Sequence, residues 1–366
     1  MGERAPSLGD VGVAPDFWRD RRVLVTGNTG FKGAWLTLWL LEMGAEVTGL
    51  APGPPTKPSL HELAGLGAHV PQDAVDVRDA EAVAASVATR RPEIVIHMAA
   101  QPFVRRSFRD PVETYAINVM GTLHVLDAVR RAPGDVRVVL NVTSDKCYEN
   151  REWEWGYREY EPMGGFDPYS NSKGCSELVT AAYRSSFFGD PSGPCLASGR
   201  AGNVIGGGDW GEDRLVPDMM RGALAGEAIA IRRPDAIRPW QHVLNPLSGY
   251  LQLVQALWDD PALAGGYNFG PADEDARRVG WIVDRIGARW PDPLDWRIDA
   301  GPHPHEATWL KLDSSRARAR LGWRPTWALD DALDAIVDWY LRLRGGEDVG
   351  ETTRAQIRRF ADAADA

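Results

Sequence analysis

Residues 22–33 read RVLVTGNTGFKG, an apolar run followed by a glycine-rich turn, and a helical stretch follows at 34–43. The β-branched residues of 22–26 are typical of a buried strand. Glycines in the turn let the backbone approach an anion closely, with helix amides facing it. The stretch predicts a phosphate cradle for a dinucleotide, and a plain strand-to-helix turn is the alternative. Its residues would be Gly27, Asn28, Thr29, Gly30, Phe31, Lys32 and Gly33.

Further strand patterns alternate with helical patterns along the chain, at 46–50, 73–78, 93–97, 136–142, 194–200 and 266–269. This alternation implies a parallel sheet with right-handed crossovers. We therefore predict an α/β fold: a Rossmann-type doubly wound parallel sheet with a smaller carboxyl-terminal α/β substrate-binding lobe. The predicted divisions are a disordered tail at 1–16, a Rossmann domain at 17–202 joined by 243–270, the smaller lobe at 203–242 and 271–350, and a tail at 351–366. The last twenty residues, polar and rich in alanine, are compatible with a marginal helix.

Composition limits the class of protein. Of 366 residues, 44% are hydrophobic and 25% charged, an ordinary globular balance. The net charge of −10 argues against nucleic acid or an anionic membrane as a partner. No apolar run has the length of a membrane span, and the amino terminus lacks a signal-peptide pattern, so we expect a cytoplasmic protein. Three widely spaced cysteines indicate neither a disulfide framework nor a metal cluster.

The second strand pattern lacks the acidic residue that usually holds the adenosine ribose of NAD, since 50–53 reads LAPG. NAD is still the expected cofactor, because no arginine stands there to bind a 2′-phosphate. Asp76 is predicted to accept a hydrogen bond from the adenine amino group, or else to cap the next helix. Further candidate cofactor contacts are Val77, Ala99, Ala100, Gln101, Asn118 and Thr143.

Tyr169 and Lys173 are four residues apart, so on a helix they share one face. A lysine one turn away would lower the pKa of the phenol and make it a usable base, although a solvated helix pair has the same spacing. The strand at 136–142 is followed by Thr143, Ser144 and Asp145. Polar groups at the carboxyl end of a parallel strand lie where such sheets bind ligands.

These residues resemble the extended short-chain dehydrogenase/reductase superfamily. Long runs are similar to the CDP-glucose branch of its nucleotide-sugar 4,6-dehydratases: GFKGAWL, AAQPFVRRS, NVTSDKCYEN, PYSNSKGCSE, RAGNVIGGGDW, RPWQHVL and HEATWLKLD. The resemblance implies oxidation at sugar C4, loss of water across C5 and C6, and return of the hydride to C6. It also implies a homodimer that pairs through the helices at 113–131 and 169–188, whose apolar faces could equally be core. A nucleotide-sugar 4-epimerase is the nearest alternative.

The resemblance assigns catalytic roles. Tyr169 takes the C4 hydroxyl proton, Ser144 hydrogen-bonds the same oxygen, and Lys173 holds the nicotinamide ribose. Asp145 is the acid for the C6 hydroxyl and must carry its proton, which burial or a neighbouring carboxylate would favour. Lys146 departs from the glutamate that removes the C5 proton in dTDP-glucose dehydratases. It acts either as that base or as an electrostatic stabiliser of the enolate.

The substrate contacts implied by the resemblance lie in the second half of the chain: Asn203, Arg214, Leu215, Pro217, Arg232, Arg238 and His305. Asn203 would meet the sugar diphosphate. Arg238 fits a pyrophosphate clamp or stacks on Trp240. His303, His305 and Glu306 are expected at the substrate edge or in a structural role, rather than at a metal. The aromatic insert at 149–163 either covers the sugar or is a packing loop.

Overall fold

The computed structural model describes residues 12–132, 134–190, 193–299, 301 and 309–364. Its strands are β1 Arg22–Thr26, β2 Glu46–Leu50, β3 Gln72–Asp73, β4 Ile94–His97, β5 Val138–Val142, β6 Cys195–Arg200, β7 Val204–Ile205, β8 Ile229–Ile231, β9 Ile237–Pro239, β10 Gln241–His242, β11 Gly266–Asn268, β12 Ala276–Arg278 and β13 Trp296–Ile298. Its α-helices are α1 Pro15–Trp18, α2 Phe31–Glu42, α3 Leu60–Leu63, α4 Ala80–Arg90, α5 Val104–Arg109, α6 Pro111–Tyr115, α7 Gly121–Arg131, α8 Pro168–Ser186, α9 Leu215–Ala225, α10 Leu244–Asp259, α11 Val279–Arg289, α12 Ser315–Leu321, α13 Leu329–Arg344 and α14 Val349–Ala364.

The central sheet, among the described residues, has seven strands in the order β3–β2–β1–β4–β5–β6–β11. Every pairing within it is parallel. The strand order reverses between β1 and β4, and ligands bind beyond the carboxyl ends of the strands at such a point. The predicted doubly wound α/β sheet is therefore confirmed.

The turn between β1 and α2 is as tight as its glycines suggested. Gly27 has a φ of +71°, in the left-handed region. A Cβ added at Gly33 would lie 2.2 Å from the Gly27 carbonyl oxygen, so only glycine fits there. The helix begins at Phe31, three residues before the predicted start. The backbone amides of the first helical turn, which have no partner within the helix, therefore belong to the glycine-rich segment.

Smaller paired strands lie outside the central sheet: β10 with β7, β12 with β9, and β13 with β8. These strands, together with α9, α11, α12 and α13, lie in the segments that the sequence assigned to the smaller lobe, and the division into domains stays a prediction. Among the described helices, none combines the length and the hydrophobicity needed to cross a bilayer.

Three predicted segments need correction. The strand expected at 73–78 is only Gln72–Asp73, because the chain turns directly after it, with Val75 N donating to the Asp73 carbonyl. Residues 351–364 of the expected tail form more than a marginal helix, because they belong to α14 and Phe360 is buried in the core. Residues 12–16 of the other tail are also ordered, with Ala14 N donating to the Gln255 side chain.

Candidate active site

A cavity of about 790 Å³ lies beyond the carboxyl ends of the central strands. We call the part of the cavity lined by the glycine-rich turn and by Ala99 and Ala100 after β4 its first arm. We call the part lined by residues of α9, β8 and β9 its second arm. Ser144, Asp145, Tyr169 and Lys173 also belong to the lining. The cavity has the size of a ligand-binding pocket, and these four polar side chains are its candidate reactive groups.

Two local features bring these side chains together. After β5, Ser144 caps the short 3₁₀ turn Asp145–Cys147, its hydroxyl accepting from Lys146 N at 3.3 Å. Asp167 caps α8 by accepting from Ser170 N at 2.9 Å, which places Tyr169 in the first helical turn. Lys173 follows one turn later, with its Nζ 3.5 Å from the Val142 carbonyl at the end of β5.

Burial is the main cause of the pKa shifts of Tyr169 and Lys173. It raises the pKa of Tyr169 to about 12, against a hydrogen bond with Ser144 that lowers it. It also lowers the pKa of Lys173 to about 8, against the charge of Glu177 that raises it. The expectation that Lys173 lowers the phenol pKa is therefore wrong for the ligand-free site, because desolvation of the phenolate outweighs nearby charges. The hydrogen bond does confirm that the phenol faces Ser144.

Asp145 is 1% exposed, and its Oδ1 accepts from the Ser144 hydroxyl at 3.0 Å. Its Oδ2 is buried and has no hydrogen-bond partner in the described part of the chain. A Cβ added at Gly202 would lie 1.7 Å from this Oδ2, so the glycine makes room for the carboxyl group. A buried carboxyl oxygen without a partner is available to hydrogen-bond a ligand in the cavity. Lys146 is half-buried and also lines the cavity.

Most candidate cofactor residues line the first arm: Gly27, Thr29, Gly30, Phe31, Lys32, Gly33, Asp76, Val77, Ala99, Ala100 and Thr143. The pKa of Lys32 falls to about 8 through burial and the charges of Arg214 and Lys173. An ammonium held in such surroundings favours an anionic ligand. The turn and this ammonium fit a dinucleotide diphosphate.

Three candidate cofactor residues, Asn28, Gln101 and Asn118, instead form hydrogen bonds within the protein next to the cavity. The Asn28 amide exchanges hydrogen bonds with Gln72. Asn118 accepts from Gln101 N at 2.8 Å and donates to the Ser172 hydroxyl at 2.8 Å. Ser172 lies on α8 between the tyrosine and the lysine, so this network fixes the helix. Sequence reasoning had counted Asn28, Gln101 and Asn118 among the direct cofactor contacts, but none of the three lines the cavity.

Asp76 lines the cavity but is already paired. Its Oδ2 lies 2.6 Å from Arg78 Nη2, and this hydrogen bond lowers the pKa of Asp76. The alternative, that Asp76 caps the next helix, is wrong, because Asp79 caps α4 by accepting from Ala82 N. An adenine amino group would have to share the carboxylate with Arg78.

The candidate substrate residues Asn203, Arg214, Leu215, Pro217, Arg232 and Arg238 all line the cavity. Arg214 precedes α9, lies 3.0 Å from Asp209 Oδ2, and covers the ring of Phe103 at 5.1 Å. His305 lies outside the described residues, as do His303 and Glu306. No metal-binding group of His, Cys, Asp and Glu occurs within the described ranges.

Sequence reasoning missed several residues of the cavity. Arg105 and Asp213 line it, and Arg105 stood within the quoted run AAQPFVRRS, which could have indicated it. Asn150 and Glu152 of the aromatic insert also line the cavity. Farther along the insert, Tyr157 packs in a buried cluster with Leu310 and Leu312. The insert therefore covers the site and packs as well, so the two alternatives do not exclude each other.

The sheet order, the glycine-rich turn and the Ser144, Tyr169 and Lys173 arrangement define an extended short-chain dehydrogenase/reductase. Residues 24–336 match the profile of the family described as GDP-mannose 4,6 dehydratase. The chain belongs to this family.

Known relatives agree with this assignment. The chain is 52% identical over 356 residues to the CDP-glucose 4,6-dehydratase of Salmonella typhimurium, covering 96% of this chain and 99% of the relative. It is 29% identical to the dTDP-glucose 4,6-dehydratase of Streptomyces antibioticus, covering 87% and 92%. The crystal structure of Thermus thermophilus UDP-glucose 4-epimerase with NAD superimposes with a TM-score of 0.74 at 26% identity, covering 87% and 99%.

Proposed function

We propose that the protein is an NAD-dependent nucleotide-sugar 4,6-dehydratase that converts CDP-glucose to CDP-4-keto-6-deoxyglucose and water. The observation that carries this proposal is the buried Asp145 carboxyl group beside Ser144 and Tyr169 in one cavity. Similarity to the Salmonella enzyme along nearly the whole chain supports CDP-glucose as the substrate. The proposal includes the cytoplasmic location expected from the sequence.

The oxidation step uses Tyr169, Ser144 and Lys173. Tyr169 accepts the proton of the C4 hydroxyl, while Ser144 holds the same oxygen by a hydrogen bond. NAD held at the glycine-rich turn would supply the acceptor for the C4 hydride and the donor of the hydride to C6, and its cationic ring would favour the phenolate. The Lys173 ammonium adds positive charge one turn along α8 and holds the ribose. Additional positive charge near the phenol is required, because the pKa of Tyr169 is raised to about 12, mainly by burial.

The elimination step uses Asp145 and Lys146. The 4-ketone acidifies the C5 hydrogen, and Asp145 donates a proton to the departing C6 hydroxyl. Lys146 either removes the C5 proton itself, or stabilises the enolate by its charge while water or a phenolate takes that proton. A 4-epimerase needs no acid at the position of Asp145, so this carboxyl group favours the dehydratase.

The proposal extends to a homodimer formed through α7 and α8. Leu178 of α8 is 59% exposed, and Phe187 directly after the helix is 50% exposed. Apolar side chains at this exposure suit a helical interface. Replacement of Leu178 by glutamate should yield monomers in light scattering after gel filtration. A dimer that survives the change would place the interface elsewhere.

One assay tests the function directly. The protein is incubated with CDP-glucose and NAD, and the 4-ketone is detected by its absorbance after alkali. CDP-glucose should give the product, and UDP-, dTDP- and GDP-glucose should give much less. Tyr169→Phe is the control for contaminating activity. Absence of product with every hexose nucleotide would refute the dehydratase assignment, and equal rates with all four would refute the choice of CDP-glucose.

A further inference from the structure

The second arm of the cavity contains a carboxylate held between two arginines. Asp213 Oδ1 lies 3.2 Å from Arg105 Nη1 and 3.2 Å from Arg232 Nη1. Arg232 Nη2 also donates to the Asp213 carbonyl oxygen at 2.7 Å. All three residues line the cavity. The carboxylate is therefore fixed in position before any ligand arrives, as recognition of a ligand requires.

The position of this cluster relative to the catalytic groups suggests which part of the substrate it meets. With the hexose at Tyr169, the dinucleotide fills the arm beside the glycine-rich turn. The diphosphate and nucleoside must then extend along the other arm, toward Leu215 and Ala230. Asp213 precedes α9 by two residues and is tied to the end of β8 through Arg232. In this arrangement of the substrate, the position beside α9 and β8 assigns Asp213 to the nucleoside end.

Asp213 has an oxygen available for a ligand. Both ion pairs use Oδ1, and among the described residues nothing bonds Oδ2. The residue has a φ of +60°, a conformation that aspartate and asparagine tolerate better than most residues. The backbone therefore turns the carboxylate toward the cavity at little cost.

We propose that Asp213 selects the nucleobase by accepting a hydrogen bond from the exocyclic amine of cytosine. A carboxylate is the usual acceptor for this amine in protein–nucleic acid contacts. Uracil and thymine carry a carbonyl oxygen at the same position, and two acceptors facing each other repel. This inference rests on the proposed function, since it assumes that a cytidine nucleotide occupies the arm.

Glu212, Asp218 and Asp299 also line the cavity, and Asp218 is the competitor that lies on α9 itself. It forms an ion pair with Arg221 on its own helix, one turn away. Burial raises the pKa of Asp218 to about 6. A carboxyl group committed to its own helix is less available to a base than the Oδ2 of Asp213. Asp218→Asn therefore serves as the matched control.

The test is calorimetric binding of CDP and UDP, which differ at the position in question, to the full-length protein. The wild type should prefer CDP. In Asp213→Asn the amide can donate to the uracil carbonyl, so the CDP-to-UDP affinity ratio should fall about tenfold to a hundredfold. Asp213→Gly keeps the positive φ and removes the carboxylate, so it should lose CDP affinity without gaining UDP affinity. Asp218→Asn should keep the wild-type ratio.

The outcomes separate this inference from the proposed function. Equal losses for both nucleotides in the Asp213 variants, or an unchanged ratio, would overturn the role of Asp213, whatever the dehydratase assay shows. A ratio that falls in Asp218→Asn instead would assign the selection to Asp218. Melting curves of the variants identify misfolding, and the glycine variant provides a second readout if the asparagine variant is unstable. Selective CDP binding without turnover would leave the base selection standing and refute only the chemistry.

Discussion

The catalytic helix is joined to the sheet by a buried ion pair, and breaking it should affect both stability and pH dependence. Glu177 lies one turn after Lys173 on α8. Its two oxygens accept from Arg200, Nε to Oε1 at 2.9 Å and Nη2 to Oε2 at 2.8 Å. Thr143 and Ser198 donate to the same carboxylate. Glu177 and Arg200 are both buried, at 5% and 4% exposure.

Glu177→Gln keeps the shape of the side chain but leaves the Arg200 guanidinium buried without a counter-charge. Removal of one partner from a buried pair costs about 3–5 kcal/mol. The change also removes the charge that raises the pKa of Lys173, so this pKa should fall below its value of about 8. The ammonium that the mechanism requires is then lost at lower pH. The alkaline limb of the kcat/KM profile should therefore move toward neutrality.

Two measurements check this prediction. Urea unfolding at neutral pH gives the loss of stability, and the kcat/KM profile of the folded variant gives the shift of the alkaline limb. Glu351→Gln is the control, because Glu351 is 58% exposed and pairs with Arg358 on the surface. That variant should change the free energy of unfolding by less than about 1 kcal/mol. A Glu177→Gln loss below about 1 kcal/mol, or a profile that does not move, would refute the reasoning.

Four further predictions concern the site and the carboxyl-terminal helix. Asp145→Asn should slow loss of water about 10²- to 10⁴-fold while reduced cofactor still forms, and unimpaired product formation would remove Asp145 as the acid. Tyr169→Phe should slow C4 oxidation by a similar factor, so a rate within tenfold of the wild type would contradict its role as base. At a pH near 9 the free Lys32 is mostly neutral, given its pKa of about 8, so binding of NAD should take up a proton. Calorimetry in two buffers of different ionisation enthalpy measures this uptake, and identical heats would argue against an anion beside Lys32. Phe360→Ala should cost about 3–5 kcal/mol in urea unfolding, and a loss below about 1 kcal/mol would show that α14 is not part of the core.

The parts of the fold that depend on a few neighbouring residues could be predicted from the sequence. The apolar run of β1 and the glycines after it determine a turn over a few residues, and the predicted strand boundaries of β1 and β2 agree with the structure. The third strand was harder. It pairs with β2 through only two residues and lies at the sheet edge, so neighbouring strands rather than its own residues decide its length.

The site was predictable where a motif and a strand end coincide. Ser144, Asp145, Tyr169 and Lys173 lie together because β5 and the start of α8 meet at the same edge of the sheet. Long-range electrostatics were not predictable. The expected direction of the Tyr169 pKa shift was wrong because burial, which depends on the whole fold, outweighs a neighbour at helical spacing.

The carboxyl-terminal helix α14 shows that an amphipathic pattern in the sequence does not reveal which surface it packs against. Residues 35–41 of α2 read WLTLWLL, which leaves this helix without a polar face. A helix that is apolar all round must be buried on both of its sides. The sheet covers one side of α2, and a second layer of structure covers the other. Val349, Thr353, Ile357 and Phe360 supply that layer, buried at helical spacing within an otherwise polar stretch. The Phe360 ring meets Trp39 edge-to-face at 5.6 Å. The sequence therefore shows that α2 must be covered and that α14 has an apolar stripe. Only the fold shows that these two helices pack against each other.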